Sequence, residues 1–462
     1  MPTVPSFPTD LLRRYDRGGP RYTSYPTAPR FSEGFGPAEL AEAIRLSNGD
    51  PIPSRLFLYV HVPFCASACL GCDRSPVIAE DRSVSEPYRR RLGREIGMVS
   101  GLFDPDREVV QLHFGGGTPN FLMPTQLAAT VQDIRDRFRF AHEHDISIEL
   151  DPRELAPDDI GELATCGFNR VRLGVQDLDP AVQLAINRQL DARATLDTIA
   201  ACHRHGMRSV DVELVLGLPR QTPEGFTRTL DLMTQARPQR ISLSGHAQRP
   251  EALEPQRQPR AEDLPSPGLR LELLRLAIER LTAAGYVHIG MEQFALPDDD
   301  LTLAQARGGL HRNFVGYTMH PDCDQVGLGV GALSRIGDSC SQNLRELPAW
   351  EDAIDAPRLP VWRGLRLSQD DQLRSDVIQR LMCQGEIPIG AIQRAHGIEF
   401  TQYFADALRR LEPLQDDGLV WIEPERIVAT PEGRLLLHVI ATCFDAHLQP
   451  PLAAAARHPL KV

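Results

Sequence analysis

Six short apolar runs, at 56–64, 109–114, 146–150, 170–175, 209–216 and 241–244, alternate with stretches of helical periodicity at 87–98, 125–138, 194–205 and 223–235. Strand, helix, strand in repeated order leaves few topologies open. Parallel strands need a crossover between them, and a helix is the usual one, so the order predicts repeated β/α units. Six such strands suit an open (β/α)6 partial barrel, whose functional groups gather at the C-terminal strand ends. Residues of chemical interest fall there. Three cysteines follow the first run and Gly115-Gly116-Gly117 the second, while Glu149 lies on the third, Gln176 at the end of the fourth and Glu213 on the fifth.

The pattern changes after the sixth strand. A long amphipathic helix at 267–284 leads out of the core, and 286–345 is glycine-rich and mixed. Beyond Pro360 come short helices at 369–383, 388–395 and 400–412, two β-like runs at 418–422 and 427–429, and a last helix at 431–447. Helices followed by a small hairpin resemble a winged-helix module, used here for packing or substrate cover. The tail at 450–462 reads as loose.

Composition narrows the chemistry. The net charge of −12 argues against a nucleic-acid surface, and it means that an anionic substrate must be held by local arginines. Lysine occurs once, as Lys461, so Schiff-base mechanisms drop out of the main body. No apolar stretch is long enough to span a bilayer, and the first residues lack the basic and apolar regions of a secretion signal. Nine cysteines in such a chain point to a reducing compartment, with the cytoplasm expected, and to metal ligation over disulfides.

Cys65, Cys69 and Cys72 stand in Tyr59-Val-His-Val-Pro-Phe-Cys-Ala-Ser-Ala-Cys-Leu-Gly-Cys. Thiolates hold iron–sulfur clusters, and a [4Fe–4S] cube closed by only three of them keeps one iron open. His61 joined to the same thiolates would instead close a zinc site, and spacing alone leaves the two near even. The C-x3-C-x2-C spacing resembles that of the radical S-adenosylmethionine (SAM) enzymes. In those enzymes the open iron binds the amino and carboxylate groups of SAM, and one-electron reduction releases a 5′-deoxyadenosyl radical.

Two further motifs agree with that resemblance. Gly115-Gly116-Gly117-Thr118-Pro119 joins a strand to a helix; its glycines permit close backbone approach and offer N–H groups to an anion, so it is a candidate for the methionine end of SAM. By itself such a turn is merely tight. Glu149, in Ile-Ser-Ile-Glu-Leu-Asp, shares a strand face with Ser147 and suits the ribose hydroxyls or amino group of SAM. Its bland reading is a partner for Arg153 or another structural arginine. Cys166, Cys202, Cys323, Cys340, Cys383 and Cys443 read as packing residues.

Over nearly its whole length the sequence resembles the oxygen-independent coproporphyrinogen III oxidases, in the segments 19–28, 115–119, 146–154, 167–177, 217–222, 263–267 and 311–314 and in the cysteine loop. The resemblance implies a radical SAM barrel over 51–285, a substrate-covering segment over 1–50, a barrel extension on the substrate side over 286–362 and a mostly helical C-terminal domain of that family over 363–462. It makes Cys65, Cys69 and Cys72 the ligands of a [4Fe–4S] cluster. Tyr59, Gly116, Glu149 and Leu333 fall where the family contacts the cluster-bound SAM. Gly71, Gly117, Thr118, Gln176, Arg188, Glu213 and Ala247 fall where it holds a second SAM. Arg21 and Arg312 are candidates for the substrate carboxylates.

The implied partners are a tetrapyrrole and an electron donor such as flavodoxin or ferredoxin, with no nucleic acid or membrane and a monomeric chain. The sequence departs from the family at Gly71, Arg74, Glu213, Val315 and Leu333, mostly around the second SAM and the substrate. Arg74 stands where the family has a fourth cysteine. These departures keep two alternatives open: a paralogue acting on another substrate, and a haem-binding chaperone without oxidase activity. The segments 21–28 and 311–314 favour the oxidase.

Overall fold

The computed structural model describes residues 9–15, 20–70, 72, 76–156, 158–246, 259–321 and 323–448. The six expected strands form as β1 (Leu56–Val62), β2 (Glu108–Gly116), β3 (Arg139–Leu150), β4 (Arg170–Gln176), β5 (Ser209–Leu216) and β6 (Arg240–Gly245). They pair in chain order, all parallel. Two of their crossover helices, Ala192–Arg204 and Pro223–Ala236, begin where a side chain satisfies a free N–H group. Asp191 accepts from Ala194 N and Thr222 accepts from Gly225 N, as Ser266 does from Leu269 N at the start of Pro267–Ala283.

The sheet extends beyond the six on both sides. Next to β6 lie β8 (Gln293–Ala295) and, outside it, β7 (Val287–Gly290), both antiparallel to their neighbours. A separate hairpin pairs β9 (His311–Asn313) with β10 (Gly316–Thr318). On the other side β11 (Asp324–Leu328) runs parallel to β1 as a seventh parallel strand, and β12 (Leu333–Ile336), β13 (Ser339–Asn343) and β14 (Val361–Arg366) follow antiparallel. The order is β14-β13-β12-β11-β1-β2-β3-β4-β5-β6-β8-β7, with two free ends, so the barrel is open.

Alternation divides each parallel strand between two environments. Leu58, Val60, Leu112, Phe114, Ile146, Ile148, Val171, Leu173, Val210 and Val212 point outward and are buried beneath the helices in the main core. Each such aliphatic side chain contributes about 1.5–3 kcal/mol by leaving water. The intervening residues face the lumen, and most of them are polar.

Residues 369–444 build a second core. Helices Gln369–Gln384, Ile389–His396, Phe400–Tyr403 and Ala405–Asp416 pack against a three-stranded antiparallel sheet of Glu386–Pro388, Arg426–Ala429 and Val420–Ile422. The continuous last helix expected over 431–447 is instead a turn of 3-10 helix at Gly433–Leu436 followed by Leu437–Thr442. The N-terminal strip joins this module: Tyr22 and Tyr25 are buried in its core, Tyr22 donates to Asp445, and the Tyr25 hydroxyl accepts from Ala446 N. Ala28 and Phe31 pack instead on Cys340 and Leu333 of the sheet. The tail at 450–462 lies outside the described residues.

Candidate active site

On the lumen face the register aligns Tyr59 with His113, His113 with Ser147, Glu149 with Arg172, Arg172 with Asp211, and Glu213 with Ser242. Polar groups withdrawn from water must find partners, and these do. The Tyr59 ring stacks on His113 with centroids 5.9 Å apart, and its hydroxyl lies 3.1 Å from His61 Nδ1. His113 Nδ1 lies 2.7 Å from Ser147 Oγ, and its Nε2 is 3.6 Å from Glu149 Oε1. From the other side Arg172 Nη1 comes within 3.8 Å of the same carboxylate oxygen, while its Nε donates to Asp211 at 2.9 Å. Glu149 therefore stands between an imidazole and a guanidinium, with its partner Arg172 and not Arg153. Burial opposes the charge on Arg172, but Asp211, Glu149 and Glu213 outweigh it and hold its pKa above the ordinary value. Glu213 itself accepts from Ser244 Oγ at 3.0 Å.

The cysteine loop leaves the end of β1. Phe64–Cys65 pairs in parallel with Val77–Ile78, which brackets the loop, and Leu70 N and Asn187 Nδ2 pin it to the 186–187 turn by bonds to Ile186 O and Ala68 O. Cys65 Sγ lies 3.2 Å from Thr118 Oγ1. Arg153 Nη2 and Arg188 Nη1 each approach Cys69 Sγ to 3.7 Å, and both arginines are bound by Asp151, at 2.7 and 2.8 Å. Arg188 also donates to Gly174 O at 2.6 Å. Cys65, Cys69 and Cys72 are half-buried with no disulfide. Among the described residues no group of three or more His, Cys, Asp or Glu is set closely enough for a single metal ion.

The glycine turn does more than leave room for a ligand. Gly117 N donates to Val62 O and Thr118 N to Phe64 O, both at 2.8 Å, so these two amides are engaged and not offered to an anion. A Cβ on Gly116, at φ 117°, would lie 2.6 Å from Val62 O, and one on Gly117 would lie 2.7 Å from the carbonyl oxygens of Pro63 and Phe64. The glycines let the end of β2 dock against the chain entering Cys65.

The remaining expected residues are spread along the rim. Gln176 ends β4 in the left-handed region at φ 68°. Leu333 packs its backbone against Gly327, the register neighbour of Tyr59. Arg21 Nη1 and Arg312 Nη2, distant in sequence, converge on Glu292 Oε1 at 3.2 and 3.9 Å. Arg312 also lies over the Tyr317 ring at 4.7 Å. Between β9 and β10, Phe314 meets the Tyr59 ring edge-on at 5.0 Å, and Val315 O accepts from Arg172. Gly71, Arg74 and Ala247 lie outside the described residues.

Sequence reasoning missed His113, Arg172, Asp211, Asp151 and Glu292. The first three occupy lumen-facing positions that strand alternation would have revealed. Asp151 lies two residues beyond Glu149 on the same face. Nothing local marks Glu292.

The model of the radical SAM superfamily matches residues 59–233, and that of the HemN C-terminal domain matches 367–436. The chain is 46% identical over 441 residues to an oxygen-independent coproporphyrinogen III oxidase of Pseudomonas aeruginosa, covering 95% of each. It is 40% identical over 439 residues to the enzyme of that name in Escherichia coli, again covering 95% of each. The chain belongs to the oxygen-independent coproporphyrinogen III oxidase family. The solved structure of coproporphyrinogen III oxidase (HemN) from Escherichia coli, a radical SAM enzyme, superposes with a TM-score of 0.91 at 39% identity, covering 96% of this chain and 99% of that one.

As a radical SAM enzyme of this family the protein uses a [4Fe–4S] cluster and SAM. Its residues fit both groups. Three half-buried cysteines share one loop, two guanidiniums at Cys69 offer donors to a thiolate, and the lumen face is lined by polar side chains including His113, Ser147, Glu149, Arg172 and Asp211.

Proposed function

We propose that the protein converts coproporphyrinogen III to protoporphyrinogen IX by oxidative decarboxylation of two propionate side chains. Each propionate loses one hydrogen atom, one further electron and CO2, leaving a vinyl group. The observation that carries this reading is the convergence of Arg21 and Arg312 beside a lumen whose Tyr59 is touched by the same β9–β10 hairpin. Cations at the mouth suit a substrate with several carboxylates, which the net charge of −12 would otherwise repel.

When bound, the cluster and SAM supply the one-electron chemistry that abstracts hydrogen. In this proposal Cys65, Cys69 and Cys72 hold the iron. Tyr59, Gly116, Glu149 and Leu333 would bound the SAM nearest the cluster, with Glu149 accepting from its ribose hydroxyls or its amino group. Gly71, Gly117, Thr118, Gln176, Arg188, Glu213 and Ala247 adjoin the second. The lumen walls exclude water from the reacting carbon. The division at 50, 285 and 362, the cytoplasmic location, the monomeric state and a flavodoxin or ferredoxin donor belong to the same proposal. Among the described residues no helix is long and apolar enough to cross a membrane.

The test is anaerobic reconstitution followed by assay with coproporphyrinogen III, SAM and a reductant. The protein should carry about four iron atoms per chain and form protoporphyrinogen IX together with 5′-deoxyadenosine. Alanine at Cys65, Cys69 or Cys72 should abolish both products. Haem binding without turnover would overturn the oxidase reading.

A further inference from the structure

The arginines of the lumen face are neutralised one by one. Arg170 meets Asp145 and Asp300, Arg172 meets Asp211, and Arg240 meets Asp299. Arg335 breaks the pattern. It lies on β12 opposite Gln325 of β11, and Gln325 is in register with Phe57 of β1, so Arg335 faces the same side as Phe57 and Tyr59. Its neighbour Ile336 points the other way, into the main core. Arg335 is half-buried. It donates to Ser375 Oγ at 3.3 Å, and among the described residues no carboxylate lies within ion-pair distance of it. Arg363, farther out on this face, is engaged by Gln342 Oε1 and the Trp362 ring.

A half-buried guanidinium with no ion-pair partner keeps most of its N–H donors open to an anionic ligand, and its planar fork matches a carboxylate. We propose that Arg335 is a substrate-binding residue, its guanidinium taking one propionate carboxylate of the tetrapyrrole. This assignment rests on the proposed function. Arg21 and Arg312 share the single carboxylate of Glu292, so that group carries one net positive charge and offers a second anion site. One helix adjoins both sites. Ser375 accepts from Arg335, and Gln379, one turn later, donates to Arg312 O at 2.7 Å. Residues four apart on a helix are separated by about 6 Å along its axis. Helix Gln369–Gln384 therefore fixes the relation between the two sites and with it the orientation of a polyanionic macrocycle.

The test measures binding of coproporphyrin III, a fluorescent tetracarboxylate, to the anaerobic holoenzyme. Arg335→Gln should weaken it on the order of tenfold to a hundredfold, the range for a hydrogen bond to a charged group. Arg335→Lys should recover most of the loss, with iron content and SAM affinity at wild-type levels in both. The tetramethyl ester of coproporphyrin III, which lacks the charges, should bind wild type and Arg335→Gln alike. Tight wild-type binding that Arg335→Gln leaves unchanged overturns this assignment alone. So does a loss that extends to iron content or SAM affinity and is not rescued by lysine, since that marks a structural role. Wild-type protein that neither binds coproporphyrin III nor decarboxylates coproporphyrinogen III overturns the proposed function, and this assignment with it.

Discussion

Replacing Asp151 with asparagine tests whether one carboxylate organises the surroundings of Cys69. Asp151 Oδ2 accepts from Arg188 at 2.8 Å and Arg153 at 2.7 Å, and its Oδ1 accepts the Arg153 backbone N–H at 3.0 Å. Burial pushes the carboxyl pKa up, but the guanidiniums of Arg188 and Arg153 outweigh it and hold it below the ordinary 3.8. Asparagine keeps one acceptor and loses the charge, which leaves two cations facing each other near Cys69. Breaking a buried pair costs about 3–5 kcal/mol. Arg188 retains its bond to Gly174 O, so the low end applies: about 3 kcal/mol, or roughly a hundredfold in the unfolding equilibrium. Anaerobic urea titration followed by tryptophan fluorescence reads this directly. A cycle with Arg188→Met should give a coupling of about 1–3 kcal/mol. Because the folded pKa is lowered, Asp151 stabilises above about pH 4 and its contribution is lost as the pH falls through the folded value, so wild type and Asp151→Asn should converge in acid. Equal urea midpoints at neutral pH, or effects that add within about 0.5 kcal/mol, would refute the reasoning.

Gly117→Ala places a methyl group against the carbonyl oxygens of Pro63 and Phe64, and should cost about 1–3 kcal/mol and lower reconstituted iron by displacing Cys65; wild-type iron content and urea midpoint would count against it. Glu149→Gln should weaken SAM binding on the order of tenfold with iron unchanged, as read by equilibrium dialysis. Glu95 is buried, and desolvation outweighs its bonds from Gly329 N and Asn343 Nδ2 to push its pKa up to about 8. Its contribution is therefore complete below the ordinary 4.5 and lost as the pH rises through about 8. Glu95→Gln should flatten a decline on the order of 5 kcal/mol across that window, measured by denaturant titration at several pH values.

The parallel strands were legible because Ser-Ile-Glu-Leu, Arg-Val-Arg-Leu and Val-Asp-Val-Glu-Leu alternate strictly, one face apolar beneath helices and the other polar toward the lumen. β11 was not. Its five residues include a glycine, and they join the sheet through Leu56–Val60, far away in sequence, which no local pattern encodes. The same limit applies to the site. Alternation tells which face Glu149 occupies, but not that His113 and Arg172 from flanking strands flank it. Spacing marks the glycine turn as an anion cradle and cannot reveal that Val62 and Phe64 take its amides. The convergence of Arg21, Glu292 and Arg312 depends on three distant segments meeting, which only the fold shows.

Tyr22, Tyr25 and Arg30 of the N-terminal strip are tied to Asp445, Ala446 and His447. On the ribosome those anchors are translated hundreds of codons after the strip itself. These three side chains therefore lack their partners while the six parallel strands and the cysteine loop emerge and pair. Tyr22, Tyr25 and Arg30 can reach these partners only when translation has passed residue 447. One of the first segments to be made is thus among the last to be fixed in place.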